Sequence, residues 1–304
     1  MILLIVLNLL YASMFILAKF GLDIAQPIFM TGARMALGGI ISLGIYGICN
    51  YSWQEIRSIT KSQWYLIGLL SLVNVYLANA LEVWGLQYLS VGKTAFIYNL
   101  SPFIAALFAY FVFREYMTWQ KWLGLTLGFL GFLPIFMGPS DIIDTTMNFG
   151  FLSLAEIALL GAAVSSILGW TIMRLLLKQK PFSVFFLNGI SMLIGGIICF
   201  VHAAYFESQP FIQPNAIYQF MQLALIMAIV KHVVAYNLNS YLLTQYTTTL
   251  VAFFSFTASL FAAALGILFF HETISIYFIG SVLCVFTGLV IFYQQELRQG
   301  YILK

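Results

Sequence analysis

The segments NVYLANALE (residues 74–82) and KHVVAYNLN (residues 231–239) lie 157 residues apart, each inside a long apolar run. At about 100° per residue, Asn74, Asn79 and Glu82 fall within an arc of roughly 140° on one helix. The second segment carries Lys231, Tyr236 and Asn239. A shift of 157 residues lays Asn74 on Lys231, Asn79 on Tyr236 and Glu82 on Asn239. Two polar stripes therefore occupy the same helical positions in two stretches of chain. Other features keep this register. Gly38-Gly39 falls on Gly195-Gly196, Phe113-Arg114-Glu115 on Phe270-His271-Glu272, and Gly131 on Gly288, while Pro27 approaches Pro181 with a small gap. The matches include non-apolar residues, so they read as an internal repeat.

Composition says what surrounds the repeat. Of the 304 residues, 62% are hydrophobic and only 8% charged, where a soluble domain carries about 25% charged residues. So few charges cannot make a water-facing surface, and the solvent must be lipid. The apolar runs are continuous rather than alternating, which predicts helices and not barrel strands. A span needs about 20 residues. The expected spans are 2–20, 28–48, 64–86, 92–113, 119–138, 150–173, 183–204, 217–241, 247–270 and 275–293. They use up the chain and leave no room for a soluble catalytic domain. Five helices per half is an odd number, so the second half enters the membrane from the opposite side. The expected fold is all-α integral membrane: ten transmembrane helices as two inverted five-helix repeats, 1–138 and 150–293, with a cytoplasmic tail at 294–304.

Basic residues set the orientation. With the N-terminus inside, the inner loops hold Arg57, Lys61, Arg114, Lys121, Arg174, Lys178 and Lys180, and the tail holds Arg298 and Lys304. The outer loops hold Asp23, Asp141, Asp144, Glu207 and Glu272, with Lys93 near an outer helix end. This positive-inside bias puts both termini in the cytoplasm and the chain in the inner membrane. Trp53, Trp64, Trp119 and Trp122 fall at inner helix ends, as interfacial anchors do. The first apolar stretch lacks a basic leader and reads as an uncleaved span. A net charge of +3 gives no reason to expect nucleic acid. Cys49, Cys199 and Cys284 are odd in number and lack ligand spacing, so neither a disulfide nor a metal site is expected.

At this point the chain resembles a known family. Leu10 to Arg34, with Lys19 and Pro27, is similar to the opening of an EamA-type transporter of the drug/metabolite transporter superfamily. So are Leu86 to Ser90, Ser101-Pro102, Phe113-Arg114-Glu115 and the Gly124, Gly128, Gly131 helix; Phe270-His271-Glu272 and Gly280 to Gly288 repeat the pattern. One departure is that Ser101-Pro102 corresponds to Ala258-Ser259, so the second half lacks the proline. The resemblance implies alternating-access transport of a small metabolite through a central cavity. It also implies that Glu115 and Glu272 are helix-end locks rather than ligands.

Polar groups in hydrocarbon are costly unless paired, so they face the bundle interior. Lys231 lies mid-helix. It either receives a substrate carboxylate or forms a buried ion pair with Glu82 or Glu156. Glu82 either meets a substrate cation or proton, or pairs with Lys19 or Arg34. His232 titrates near neutrality if accessible; otherwise it packs. Lys19 and Arg34 lie toward outer helix ends, where long basic side chains snorkel to the interface or guide anions inward. Tyr11, Phe15, Tyr76, Trp84, Tyr98, Trp170, Tyr236 and Phe256 are candidate cavity aromatics. The expected substrate site is Lys231, Glu82, Asn74, Asn79, Tyr236, Asn239, His232, Tyr98, Trp170 and Tyr11. Such a site accepts a zwitterion with a flat or cationic side group. Amino acids fit, as does S-adenosylmethionine, and composition does not choose between them. The partners expected are a small molecule and the lipid bilayer.

Two other classes compete. An intramembrane enzyme needs a nucleophile–base pair or clustered ligands, yet His202, His232 and His271 are scattered. A receptor or structural subunit does not need opposed polar stripes. No P-loop occurs and no cofactor is expected.

Overall fold

The structure is a computed structural model that describes residues 2–50, 56–114, 116–133, 148–149, 152–179, 182–246, 248–271 and 275–299. Helix α1 (Ile2–Leu22) leads to α2 (Pro27–Ile45), which ends in a π-turn. Then come α3 (Lys61–Leu86), α4 (Val91–Tyr98), α5 (Ser101–Phe113) and α6 (Trp119–Gly131). A short antiparallel pair, β1 (Asn148–Phe149) with β2 (Leu152–Ser153), precedes α7 (Leu154–Gln179). Helices α8 (Val184–Phe206), α9 (Pro214–Gln245), α10 (Thr248–Phe270) and α11 (Ile276–Gln299) follow. Among the described residues, eight helical runs are long and apolar enough to cross a bilayer, and Phe254–Phe270 is a shorter apolar one. The chain is a nearly all-helical, multi-pass membrane protein. Leu268, Leu283, Phe111 and Trp119 stand exposed on its outside, the surface lipid selects.

Several boundaries differ from the sequence expectation. The span expected at 92–113 is two helices, because Pro102 has no N–H for the Tyr98 carbonyl and its ring clashes there. The Ser101 hydroxyl donates to that freed carbonyl at 2.8 Å. The corresponding Ala258-Ser259 has no proline, and α10 runs through it unbroken. Helix α7 continues to Gln179, six residues past the expected end. Helix α11 continues to Gln299, so the expected tail begins inside a helix; Gln294 to Gln299 are mostly strong helix formers. The β1–β2 pair is a small exception to all-α. Trp53, Glu115, Asp141, Asp144 and Glu272 lie outside the described residues.

Local backbone geometry recurs at the same offset as the sequence repeat. Helix α3 widens into π geometry over Ser71–Leu77 and α9 over Ala228–Ala235. The Ala78 amide donates to the Val73 carbonyl and the Tyr236 amide to the Lys231 carbonyl, each five residues back. Such bulges favour functional sites, and these two carry Asn74 and Lys231. Arg114 and His271, 157 positions apart, both adopt left-handed backbone, at φ 53° and 52°. Each terminates a helix in the manner of an αL cap.

The helix ends are specified by side chains. Thr60 and Gln63 form a capping box at α3. Pro27 opens α2, and the Glu207 carboxylate accepts from the Ile28 and Phe29 amides at 2.6 and 2.8 Å. That anion sits against the positive end of the helix dipole. Lys19 donates to the Leu86 and Leu89 carbonyls at 2.7 and 2.9 Å, at the C-terminal end of α3. It caps a helix instead of snorkelling, because the orphan carbonyls lie within its reach.

Helices α6 and α11 meet backbone to backbone. A Cβ at Gly288 would stand 2.5 Å from the Gly128 amide nitrogen and 2.7 Å from the Gly124 carbonyl. Backbone atoms cannot rotate aside, so Gly288→Val is expected to separate the two helices. Overpacking of this kind costs about 1–3 kcal/mol. Size-exclusion and thermal-unfolding profiles of detergent-purified protein check it: the variant should melt several degrees lower, and an unchanged midpoint would contradict this packing.

Candidate functional site

The π-turn of α9 aims Lys231 at α3. Its Nζ donates to Glu82 Oε1 at 2.9 Å, and each residue is 5% exposed. Of the two carboxylates open to Lys231 from sequence, the fold uses Glu82. Glu156 takes Lys93 at 2.8 Å and accepts from the Ser153 amide at 2.7 Å. Asn79 and Tyr236, positions related by the repeat, touch each other: Asn79 Nδ2 donates to Tyr236 Oη at 3.0 Å. Asn79 also donates to the Asn74 and Val75 carbonyls, at 2.9 and 3.2 Å.

Glu82 and Lys231 line a cavity together with Tyr11, Phe15, Tyr98, Trp170 and Tyr236. The rings meet mostly edge to face. Tyr236 lies 5.1 Å from Trp170 at 72° and 6.5 Å from Tyr11 at 71°. Phe15 lies 6.3 Å from Tyr98. The open space is small: about 70 Å³ accommodates the centre of a water molecule.

Six of the ten expected site residues thus share one cavity: Lys231, Glu82, Tyr236, Tyr98, Trp170 and Tyr11. Asn239 lines an adjoining space. The other three stand behind the lining. Asn74 packs directly on Gly169, where a Cβ would collide with it. Asn79 reaches the cavity through Tyr236. His232 is fully buried against Gly38, its ring 5.2 Å from Tyr236. Among the remaining aromatics, Tyr76 hydrogen bonds His202 at 2.8 Å, Trp84 packs on Tyr88, and Phe256 packs on Phe96.

Arg34 departs most from its sequence reading. It does not snorkel: it is 0% exposed, and none of its three side-chain nitrogens has a hydrogen-bond partner among the described residues. It lies within electrostatic reach of Glu82, Lys231 and His232. Helix α2 packs along α8 and also against the π-turn of α9, which draws its side chains inward.

Sequence reading also missed the hydroxyl and amide groups around the α4–α5 break. Asn99 donates to Ser259, and Ser259 donates to the Ala95 carbonyl at 2.8 Å. Ser255 donates to Asn99 at 3.4 Å and lies 3.5 Å from Ser101. The proline at 102 was their available signal. Among the described residues, no three His, Cys, Asp or Glu side chains converge as metal ligands.

A carboxylate, a cation and several aromatic rings line one small cavity inside a multi-pass helical bundle, a lining suited to a small polar molecule. The chain belongs to the EamA-like transporter family, whose model matches residues 1–137 and 153–294. It is 34% identical over 298 residues to the S-adenosylmethionine/S-adenosylhomocysteine transporter of Chlamydia muridarum, covering 97% of this chain and 91% of the relative. The transporter of the same name from Chlamydia trachomatis serovar L2 is 33% identical over 296 residues, covering 96% and 88%. A solved protein crystal structure, 13% identical, superposes with a TM-score of 0.71 over 98% of each chain and shares the fold. The protein is a transporter of a small metabolite, not an enzyme.

Proposed function

We propose that this protein carries S-adenosylmethionine and S-adenosylhomocysteine across the inner membrane by alternating access. The names of its relatives support the substrate, with at least 96% of this chain and 88% of each relative covered. One observation in the site carries the reading: Lys231 and Glu82 face an aromatic cavity, and the buried Arg34 behind it has no hydrogen-bond partner among the described residues. Arginine stays charged in proteins, so two cations share one carboxylate. A buried charge without a partner is costly, and a substrate carboxylate supplies the missing anion. Glu82 is then free to meet the substrate ammonium. The sulfonium suits the faces of Tyr11, Tyr98 and Trp170 through cation–π attraction.

The same reading takes the chain as ten spans in two inverted five-helix repeats, 1–138 and 150–293, with both termini in the cytoplasm. The shared offset of the π-turns, the left-handed helix ends and the Asn79–Tyr236 contact supports it. The substrate then binds between the repeats, and rocking of one against the other exposes it to each side in turn.

Proteoliposomes containing purified protein test this. Labelled S-adenosylmethionine should accumulate above protein-free vesicles, and unlabelled S-adenosylhomocysteine should compete. No accumulation of either compound, in vesicles that do take up another metabolite, would sink the proposed substrate while leaving the transporter class intact.

A further inference from the structure

Beside the charged cavity lies a second space, in which about 60 Å³ accommodates the centre of a water molecule. Its polar lining is Asn8, Ser101, Ser166, Asn239 and Ser255, and none of the described residues lining it is charged. Tyr11, Tyr98 and Trp170 border both spaces, as does Ser166. The Tyr11 hydroxyl is buried there with no hydrogen-bond partner among the described residues. A water needs roughly 10–15 Å³ of such volume, so each space holds only a few.

The repeat register relates some of the lining positions of the two spaces. An offset of 157 residues exchanges Glu82 with Asn239 and Ser101 with Ala258. Glu82 and Ala258 line the charged space; Asn239 and Ser101 line the neutral one. Two pairs of matching positions are thus divided between the spaces, and only one space has a carboxylate and an ammonium. A zwitterion buried in the neutral space leaves its charges unpaired. A nucleoside does not. Amides pair with the N6 and N7 edge of adenine, hydroxyls meet ribose hydroxyls, and bases stack on aromatic rings.

We infer that the transporter holds its substrate in two chemically distinct subsites. The charged space takes the amino-acid end, and the neutral space takes the nucleoside end. Tyr11, Tyr98 and Trp170 form the waist around the atom that joins them. The identity of the two ends rests on the substrate proposed above; the division itself rests on the two linings.

Binding calorimetry on protein in nanodiscs separates the two. The probes are S-adenosylmethionine, methionine and adenosine, and the variants are Lys231→Ala, Asn239→Leu and the milder Ser255→Ala, each first shown to keep a sharp melting transition. In the wild type, methionine and adenosine should bind together, neither shifting the other's Kd more than twofold. Lys231→Ala should weaken methionine at least tenfold and adenosine less than twofold. Asn239→Leu should do the reverse, with Ser255→Ala following it more weakly. Mutual exclusion of the fragments, equal losses for both in each variant, or failure of either fragment to bind would overturn the division. Failure of S-adenosylmethionine itself to bind would instead remove the proposed substrate.

Discussion

Lys231→Ala should abolish uptake of a carboxylate-bearing substrate while the protein stays folded and inserted. Truncating one partner of a buried charge pair costs about 2–5 kcal/mol at a binding site, which is roughly 30-fold to several-thousand-fold in affinity. Stability should suffer less than a lone buried carboxylate suggests. The Arg34 charge acts on Glu82 at a distance and has no hydrogen-bond partner among the described residues, so it offsets part of the orphaned negative charge. The measurement is initial uptake into proteoliposomes, with a carboxamide analogue in parallel. The wild type should prefer the acid strongly, and the variant should treat acid and amide alike. A variant that still transports the acid at the normal rate would remove Lys231 as the carboxylate receiver. Glu82→Gln should instead weaken substrates bearing a cation and spare those without one.

Arg34→Leu should have the opposite balance. The wild-type guanidinium is fully buried with no acceptor among the described residues. A buried charge without compensation is destabilising, and an apolar side chain that packs in its place removes that cost. The variant should therefore melt at the same temperature or higher. Transport should nevertheless fall by at least tenfold, because the site loses the excess positive charge that draws a carboxylate inward. Stability gained with function lost is the expected trade at a site kept strained for its ligand. A thermal-unfolding curve and an uptake assay on the same preparation decide it. If the variant unfolds on purification, Arg34 holds the bundle together and the charge count above is wrong; Arg34→Lys, which keeps the charge, should then recover the fold.

Much of this site was legible because the two stripes are local patterns. Asn74, Asn79 and Glu82 recur at helical spacing, and the offset of 157 residues brings in Lys231, Tyr236 and Asn239. Helical period says which residues share a face. It does not say how wide that face opens. Both stripes carry a π-turn at the same offset, yet Asn74 packs against Gly169 while Lys231, at the matching position, lines the cavity, because different helices face them. Asn99, Ser101 and Ser255 escaped because single hydroxyls and amides in apolar helices look alike until a neighbour is fixed. Arg34 escaped because its distance along the chain from a helix end resembles that of a snorkelling residue.

The sequence by itself determined that this is a multi-pass helical membrane protein. Hydropathy and periodicity are properties of contiguous residues, and lipid enforces them span by span. Tertiary structure alone decided that Lys231 pairs with Glu82 rather than Glu156, that Arg34 is buried, and that Tyr11, Tyr98 and Trp170 border two adjoining spaces. Each of those depends on which helix faces lie within a few ångströms of each other. Helix packing sets that distance, and no local pattern encodes it.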